Sequence, residues 1–417
     1  MGTRSSSRWL ILADDVTGAA DCAIAFAKRG VESTVGWGER RWDGPVFSYN
    51  VNSRGCDGGE TARRHRDALG RLAHSGVSLF KKIDSTLRGQ PAAEIAAVIE
   101  VLRQRHGSAF GILAPAFPAN SRTTENGRIL LCGKPLEDSE IWRRGHTYPS
   151  ADLVEVLASA GVAGQHVALS TVRLGVEALR QTFAALRTRT AVAVCDAVTS
   201  EDLACIAQAS LPAPEGVFFI GSAGLAHALA MVSPPEGCAP GQNGGNGKGS
   251  LIVIGSPAEP SRTAARALAR LPGVVHIPLL PGQLLEANAN WDDLRTTLNG
   301  NLDAGDDVLV EICGEGPLDV SIGPRLAETL AEALQPAGSH LGGLAATGGE
   351  TAAALFQRFG VDGIRLVDEI EPGVALGLTL GDICVPVATK AGAFGGEGSF
   401  IRIVERLRSI ERTGVLT

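Results

Sequence analysis

Two domains of α/β type, each a mostly parallel sheet with flanking helices, are predicted by three features of the 417-residue chain. Strand-length apolar runs alternate with longer amphipathic runs in both halves, the pattern of repeated βα units. Many of the 52 glycines fall where those strands would meet helices, as tight α/β turns require. Between the halves, Ser233 to Gly249 is packed with Gly, Pro and Asn and carries no period, so it reads as a flexible linker. Single cores stop growing at about 250–300 residues. The expected division is therefore residues 1–232, the linker 233–249, and residues 250–417.

Hydrophobic residues make up 44% of the chain and charged residues 20%, enough apolar surface for a real core in each half. A net charge of −7 with 5% aromatic residues argues against a nucleic-acid surface. The same acidic balance repels an anionic substrate, so an anion would need locally placed Lys and Arg. The eight cysteines lie at 22, 56, 132, 195, 205, 238, 313 and 384 without CxxC or metal-finger spacing, as expected of reduced thiols in a cytoplasmic protein. The N-terminus leads directly into a short apolar run broken by Asp14 and Asp15, unlike a signal peptide. No apolar stretch is long enough for a membrane span, so no membrane association is expected.

Taken in order, Trp9 to Ala13 reads as a buried parallel strand, Asp14 to Gly18 as an acidic turn and Ala19 to Lys28 as a helix. Val31 to Gly36 and Val46 to Val51 are the next strands, the second running into Asn52, Ser53 and Arg54. Glu60 to His74 is helical with one charged face, and the strand that ends at Lys82 follows it. A helix over Ala92 to Arg105 and a strand over Ala109 to Ala114 come next. Ala114 to Arg128 reads as a polar loop pinned by Pro115 and Pro118, whose Asn120, Arg122 and Thr123 either reach a ligand or line a surface connection. A helix near Pro149 to Leu157, a strand over Ala191 to Asp196, a helix over Glu201 to Ala209 and a strand over Gly216 to Ile220 complete this half, and Gly221 to Leu225 turns into a helix through Met231. In the second half, strands are expected at Ser250 to Ile254, Val274 to Pro278, Asp307 to Cys313, Leu341 to Ala346 and Ile383 to Ala388. Helices are expected over Arg262 to Arg270, Trp291 to Leu298, Ser321 to Leu334 and Glu350 to Arg358.

The densest chemistry lies in Ser78 to Gln90, Ser-Leu-Phe-Lys-Lys-Ile-Asp-Ser-Thr-Leu-Arg-Gly-Gln. Open α/β sheets bind ligands outside the carboxyl ends of their strands. A strand end bearing Lys81, Lys82, Asp84, Ser85, Thr86 and Arg88 is equipped for a small hydroxylated anion. Arg88 offers a fork for a carboxylate, Lys82 a charge for a phosphate, and Asp84 an acceptor for an alcohol proton. A solvated loop with Asp84 capping a helix accounts for the same residues. Asp14 and Asp15 repel each other at their own strand end, which calls for a cation, a substrate hydroxyl or a helix cap. Arg54 arrives at a third strand end, either for a ligand or for a surface ion pair.

Gly-rich turns follow strands in the second half at Gly255-Ser256, at Thr347-Gly348-Gly349-Glu350-Thr351 and at Lys390 to Gly396, the last containing Gly392 and Gly395. Glycine lets backbone approach a phosphate, and helix N-termini supply N–H donors. Walker A and dinucleotide fingerprints are both absent from the sequence. Tight turns without a ligand remain an alternative for each turn taken singly.

These motifs together resemble the four-carbon acid sugar kinase family, whose members act on 3-oxo-tetronate, D-threonate and D-erythronate. The resemblance rests on Asp-Asp-Val-Thr-Gly-Ala (14 to 19), Lys-Ile-Asp-Ser-Thr-Leu-Arg-Gly (82 to 89), Ala-Pro-Ala-Phe-Pro-Ala-Asn-x-Arg (114 to 122), Gly-Ser-Ala-Gly-Leu (221 to 225), Gly-Gly-Glu-Thr (348 to 351) and Lys-x-Gly-x-Phe-Gly (390 to 395). It covers nearly the whole chain in order. It implies ATP- and Mg²⁺-dependent phosphorylation of the terminal 4-hydroxyl of a four-carbon sugar acid, with the ligand cleft between the domains. By motif, Asp14, Asp15, Arg54, Lys82, Ile83, Asp84, Ser85 and Arg88 would hold the acid, with Asp84, Asp15 and Lys82 catalytic. Ser256, Gly348, Gly349, Glu350, Thr351, Gly392 and Gly395 would hold ATP. Metal ligands, self-association and the identity of the acid stay open. Two departures remove hydroxyls: Ala352 stands where many members have Ser, and Lys-Ser-Gly-Gly-Phe-Gly is Lys-Ala-Gly-Ala-Phe-Gly here. A non-catalytic sugar-acid binder or sensor is the alternative from another class. An aldolase or dehydrogenase is disfavoured by the absence of an isolated lysine and of a dinucleotide fingerprint.

Overall fold

The computed structural model describes residues 8–39, 44–74, 76–143, 146–233, 246–256, 258–286, 289–313, 322–392 and 394–415. Most of the expected linker, together with Ser321 and Ala393, lies outside the described residues. Two compact units are present, Met1–Val31 with Arg41–Gly237, and Glu32–Arg40 with Cys238–Thr417.

The first unit opens with β1 (Arg8–Ala13) and α1 (Val16–Ala27). The chain next contributes β2 (Ser33–Gly36) to the second unit, then resumes the first with β3 (Val46–Asn50), α2 (Gly58–Leu72), β4 (Val77–Lys82), α3 (Pro91–His106) and β5 (Phe110–Ala114). A small antiparallel sheet of β6 (Arg122–Glu125), β7 (Arg128–Leu131) and β8 (Lys134–Pro135) precedes α4 (Glu140–Arg143) and α5 (Leu153–Ala158). The unit ends with β9 (Gly164–Val167), α6 (Leu169–Val172), α7 (Val176–Leu186), β10 (Val192–Cys195), α8 (Ser200–Ser210), β11 (Val217–Gly221) and α9 (Ala223–Val232).

Its main sheet runs β3-β1-β4-β11-β5-β10-β9 with every neighbouring pair parallel. Alternation along each strand divides the apolar side chains between two faces. Leu10, Leu12, Tyr49 and Leu79 pack with Leu69 of α2 and with Ile95 and Val98 of α3. On the opposite face the Trp9 ring meets Phe26 of α1 at 5.3 Å and Phe219 of β11 at 5.5 Å. From β1 the chain goes to β3 on one side, and from β4 it goes to β5 on the other. The carboxyl ends of β1 and β4 therefore flank a topological switch point, where an open α/β sheet leaves a crevice.

The loop expected over Ala114 to Arg128 is partly strand, because β6 pairs with β7 across Asn126 and Gly127, both at positive φ (53° and 73°). Asn-Gly is the preferred pair for such a two-residue turn, so this hairpin was marked in the sequence at Glu125-Asn126-Gly127-Arg128.

The second unit comprises β2 with β12 (Ser250–Ile254), α10 (Glu259–Leu268), β13 (Val274–Leu279), α11 (Pro281–Leu285), α12 (Asp292–Asp303), β14 (Asp307–Ile312), α13 (Gly323–Leu334), β15 (Gly343–Thr347), α14 (Gly349–Arg358), β16 (Val361–Glu371), β17 (Val374–Gly381), β18 (Pro386–Lys390) and α15 (Ser399–Thr413). Strands β13-β14-β12-β15-β18 are mutually parallel, and β17, β16 and β2 extend them antiparallel. The long β16–β17 hairpin has no counterpart in the sequence reading. It closes through Pro372-Gly373, with Gly373 at φ 83° and Glu371 opposite Val374, the residue order of a type II turn.

The strand expected at 31 to 36 forms, but it pairs with β16 of the second unit. Trp37, just beyond β2, donates from Nε1 to the Val361 carbonyl at 3.1 Å and stacks on Phe356 at 5.4 Å. Its removal should loosen the second unit: Trp37→Ala is expected to cost about 3 kcal/mol, the low end for an aromatic deletion because the ring is only partly buried. Urea unfolding of wild type and variant measures this, with the loss confined to the transition that reports the second unit.

Candidate active site

At the end of β1, Asp15 is the N-cap of α1. Its Oδ1 accepts from the Gly18 N–H and its Oδ2 from the Thr17 hydroxyl, both at 2.9 Å. Asp14 takes Arg54 in a fork, Nε to Oδ2 at 2.6 Å and Nη2 to Oδ1 at 2.9 Å. The remaining Arg54 nitrogen, Nη1, donates to Asp15, and its guanidinium stands 4.0 Å from Asp84. One guanidinium thus bridges the three carboxylates. Burial alone would raise the Asp14 carboxyl, but Arg54 and Lys82 outweigh it and hold it at about 2.

At the end of β4 the chain turns tightly, with Leu87 at φ 58°. Asp84 accepts from the Thr86 hydroxyl at 2.5 Å and from Arg88, Nε at 2.8 Å and Nη2 at 3.0 Å. Burial pushes the Asp84 carboxyl up, and Arg88, Arg54 and Lys82 together carry it well below the usual carboxylate range. Lys82 is buried, which favours its neutral form, yet Asp14 and other nearby groups raise its affinity for the proton above that of a free lysine. Its ammonium lies over bare Gly18: a Cβ there would come within 2.8 Å of Lys82 Nζ and 2.6 Å of Asp15 Oδ1. An ammonium beside the first turn of a helix, whose dipole adds partial positive charge, is a setting that favours an anion.

Asp14, Asp15, Arg54, Lys82, Asp84, Ser85 and Arg88 are thus gathered at the switch point. Ile83 is brought there by its backbone alone: its side chain packs in the apolar core and its N–H is taken by the Gly221 carbonyl at 2.9 Å. The sequence reading left Arg122 uncommitted. It is buried and donates from Nη1 to the Ser85 hydroxyl. Lys81, which the sequence groups with these ions, leaves them for Glu94 of α3, a residue no motif marks. Strand alternation sends Lys81 to the face opposite Lys82, where it meets Glu94 at 2.8 Å and donates to the carbonyls of Lys82 at 2.6 Å and Leu12 at 3.1 Å.

In the second unit, Ser256, Gly348, Thr351 and Gly392 converge. A Cβ on Gly392 would strike the Ser256 hydroxyl, and one on Gly348 would sit 3.8 Å from the Ser256 N and 3.7 Å from the Thr351 hydroxyl. Gly348, at φ 92°, caps α14 and donates to the Lys390 carbonyl at 3.2 Å, and Gly349 opens the helix. Bare Cα atoms and helix-end N–H groups make a cradle of the kind that accepts phosphate. Glu350 points elsewhere, toward Gly323 of α13. Gly395 stands apart against Ser399, Glu371 and Lys390. Burial brings the Lys390 ammonium down to about 8, partly opposed by Glu371, and it donates to the Ser261 hydroxyl, which in turn holds the Gly392 carbonyl. The described cysteines are all unpaired, and burial raises the thiols of Cys22 and Cys195. Among the described residues no helix is long and apolar enough to cross a membrane.

A parallel α/β unit with an ion-rich switch point, joined in one chain to a unit with a glycine-lined phosphate cradle, has the parts of a two-domain small-molecule kinase. The chain belongs to the four-carbon acid sugar kinase family: a sugar-binding N-terminal domain matches residues 9–229 and a nucleotide-binding C-terminal domain residues 251–400. It is a sugar-acid kinase. It is 41% identical over 403 residues to a D-threonate kinase of Cupriavidus necator, covering 94% of this chain and 96% of that one. A D-threonate kinase of Bordetella bronchiseptica is 31% identical (95% and 97% covered) and a D-erythronate kinase of Heliobacterium modesticaldum 28% (96% and 97%). Solved structures from Salmonella typhimurium and Haemophilus influenzae share the fold at 20% identity, with TM-scores of 0.79 and 0.71, covering 95% and 96% of this chain and 98% and 100% of those.

Asp14 is more acidic folded than unfolded, so the stability it contributes is present above about pH 4 and is lost as the pH falls toward 2. Asp14→Asn should therefore cost about 2 kcal/mol at pH 7 and converge on wild type near pH 2, read from urea midpoints across that range. Gly18→Ala, favourable by up to about 1 kcal/mol on helix propensity and opposed by about as much through the crowded Asp15 cap, should keep the melting temperature within a few degrees. By pushing Lys82 aside, it should lower kcat/KM for the acid at least about tenfold.

Proposed function

We propose that this protein transfers the γ-phosphoryl group of ATP to the 4-hydroxyl of a four-carbon sugar acid, and that the acid is D-threonate. The observation that carries the reading is the cluster around Arg54, with three carboxylate side chains, a buried ammonium and the first turn of α1 at one switch point. The relatives at 41% and 31% identity, both D-threonate kinases, favour that acid over its diastereomer.

Substrate hydroxyls suit the free lone pairs of Asp14, Asp15 and Asp84. Arg54 has its nitrogens taken up by Asp14 and Asp15 and serves to hold the acids. Arg88, 43% exposed, keeps an open edge for the substrate carboxylate. Phosphoryl transfer passes through a loose transition state and asks for positioning and charge more than for a strong base. A carboxylate as acidic as Asp84 fits that demand: it orients the alcohol by accepting its hydrogen bond and takes the proton late. Lys82 offsets the charge that grows on the transferring group. Ser256, Gly348, Gly349, Thr351 and Gly392 would hold the ATP phosphates, with the metal arriving on the nucleotide. Mg²⁺ supplies neutralisation of the phosphate oxygens when bound. Glu350 and Gly395 would act on the cradle's surroundings. Unpaired thiols and a need for ATP both suit a reducing cytoplasm.

An ADP-release assay with Mg²⁺ and ATP across D-threonate, L-threonate, D-erythronate and both 3-oxo-tetronates tests the reading. D-threonate should lead in kcat/KM by at least about tenfold, a difference of roughly 1.4 kcal/mol in transition-state binding. Binding of the acids without ADP release would favour the sensor instead. Asp84→Asn should lower kcat by roughly 10²-fold or more while leaving the KM for ATP within about threefold.

A further inference from the structure

We propose that His276, Glu311 and Cys313 form a binding site for a late first-row divalent metal ion such as Zn²⁺, distinct from the Mg²⁺ of a nucleotide. His276 lies on β13 and Glu311 on β14, and Cys313 directly follows β14, where its N–H continues the ladder by donating to the Leu279 carbonyl at 2.8 Å. Glu311 and Cys313 are two apart on extended chain and share a face. His276 pairs in register with Leu309, two residues before Glu311, which sets it on that same face. The outcome is a compact donor set. His276 Nε2 is 3.1 Å from Glu311 Oε2, and the ligand atoms of the three residues all lie within 4.8 Å of one another. Tetrahedral zinc bonds of about 2.0–2.3 Å place ligand atoms about 3.3–3.8 Å apart, so small rotamer changes close the set around an ion.

Donor chemistry selects the metal. Thiolate with imidazole and one carboxylate suits Zn²⁺ or Co²⁺, and three protein ligands leave a position for water. Mg²⁺ demands oxygen ligands in octahedral array and is poorly served here. Glu311 is buried, so its charge has a reason to seek a cation. Burial and the Glu311 carboxylate push the Cys313 thiol up to about 11, and a metal would displace that proton. Arg262 of α10 also acts on Cys313; it favours the thiolate and opposes the incoming cation. Because Ile254 of β12 pairs with Glu311 of β14, Ser256 and Cys313 stand at the same end of adjacent strands. The metal would rest beside the phosphate cradle, although the site itself does not depend on the kinase reading.

Co²⁺ titration of the metal-free, nucleotide-free full-length protein, followed by absorbance, tests the proposal. One equivalent should bind with a thiolate-to-cobalt charge-transfer band and tetrahedral visible bands. Cys313→Ser should abolish the charge-transfer band and weaken binding at least about tenfold. His276→Gln should weaken binding at least about tenfold while keeping the band. Wild type without the band, a band that survives Cys313→Ser, or unchanged affinity in His276→Gln would each overturn the site. Wild type offers a reading free of any folding defect in the variants: Zn²⁺ should protect Cys313, and not exposed Cys132, from iodoacetamide, as located by mass spectrometry. Equal alkylation of Cys313 with and without Zn²⁺ would also overturn it.

Discussion

Like charges at two adjacent strand ends set the problem that the first unit solves. Asp14, Asp15 and Asp84 stand together and buried, and two unit charges about 4 Å apart repel by roughly 4 kcal/mol at the effective dielectric of a protein surface. Arg54 offsets that repulsion by giving its Nε and both Nη nitrogens to Asp14 and Asp15 while its Nη2 stands 4.0 Å from Asp84. Its charge helps hold the Asp14 and Asp84 carboxyls below the usual carboxylate range. Loss of Arg54, the partner they share, would leave buried carboxylates uncompensated, a change usually worth about 3–5 kcal/mol. The lining of this candidate pocket is therefore held as a unit, with its charges oriented by their own ion pairs.

Beneath that pocket, alternation gives two adjacent lysines unrelated work. Lys82 faces the α1 side and stays with the acids. Lys81, fully buried, faces the α3 side, where Glu94 compensates its charge. Its ammonium ties the carbonyls of Leu12 and Lys82, the last turns of backbone before Asp14 and Asp84 leave the sheet. The distance between the two acidic turns is thus held by an ion inside the fold. His65 abuts the same carboxylate at 3.9 Å, and burial, aided by Lys81, brings the imidazole down to about 3, so it stays neutral there.

Much of this was legible in the amino-acid order, and the parts that were not share a cause. Motif-bearing turns after β1, β4, β12 and β15 are short and local, so Asp14, Asp15, Lys82, Asp84, Ser256 and Gly348 could be assigned to strand ends directly. Ile83 sits among polar neighbours, yet the strand pattern sends its side chain into the core, so only its backbone borders the site. Arg122 was hard to commit because its place depends on the β6–β7 hairpin, marked only by Asn126-Gly127. Pairing of β2 with β16 could not be read at all: more than 300 residues separate Trp37 from Val361, and local periodicity carries no information on partners that distant.

The two units differ in what part of the chain would do the binding, and this bears on the positions where hydroxyls are missing. In the first unit, side chains would carry it: charge and geometry of the candidate site both reside in Asp14, Arg54, Lys82 and Asp84. In the second, the cradle is made of backbone, with Gly348 at a positive φ and Gly392 bare against Ser256. Ala352 lies fully buried in α14, where its N–H already donates to the Gly348 carbonyl at 2.9 Å. A hydroxyl there would face the interior of the fold before it faced a phosphate. Its loss leaves the helix-end N–H donors intact, so a nucleotide cradle built on backbone tolerates a substitution that an ion-pair pocket would not.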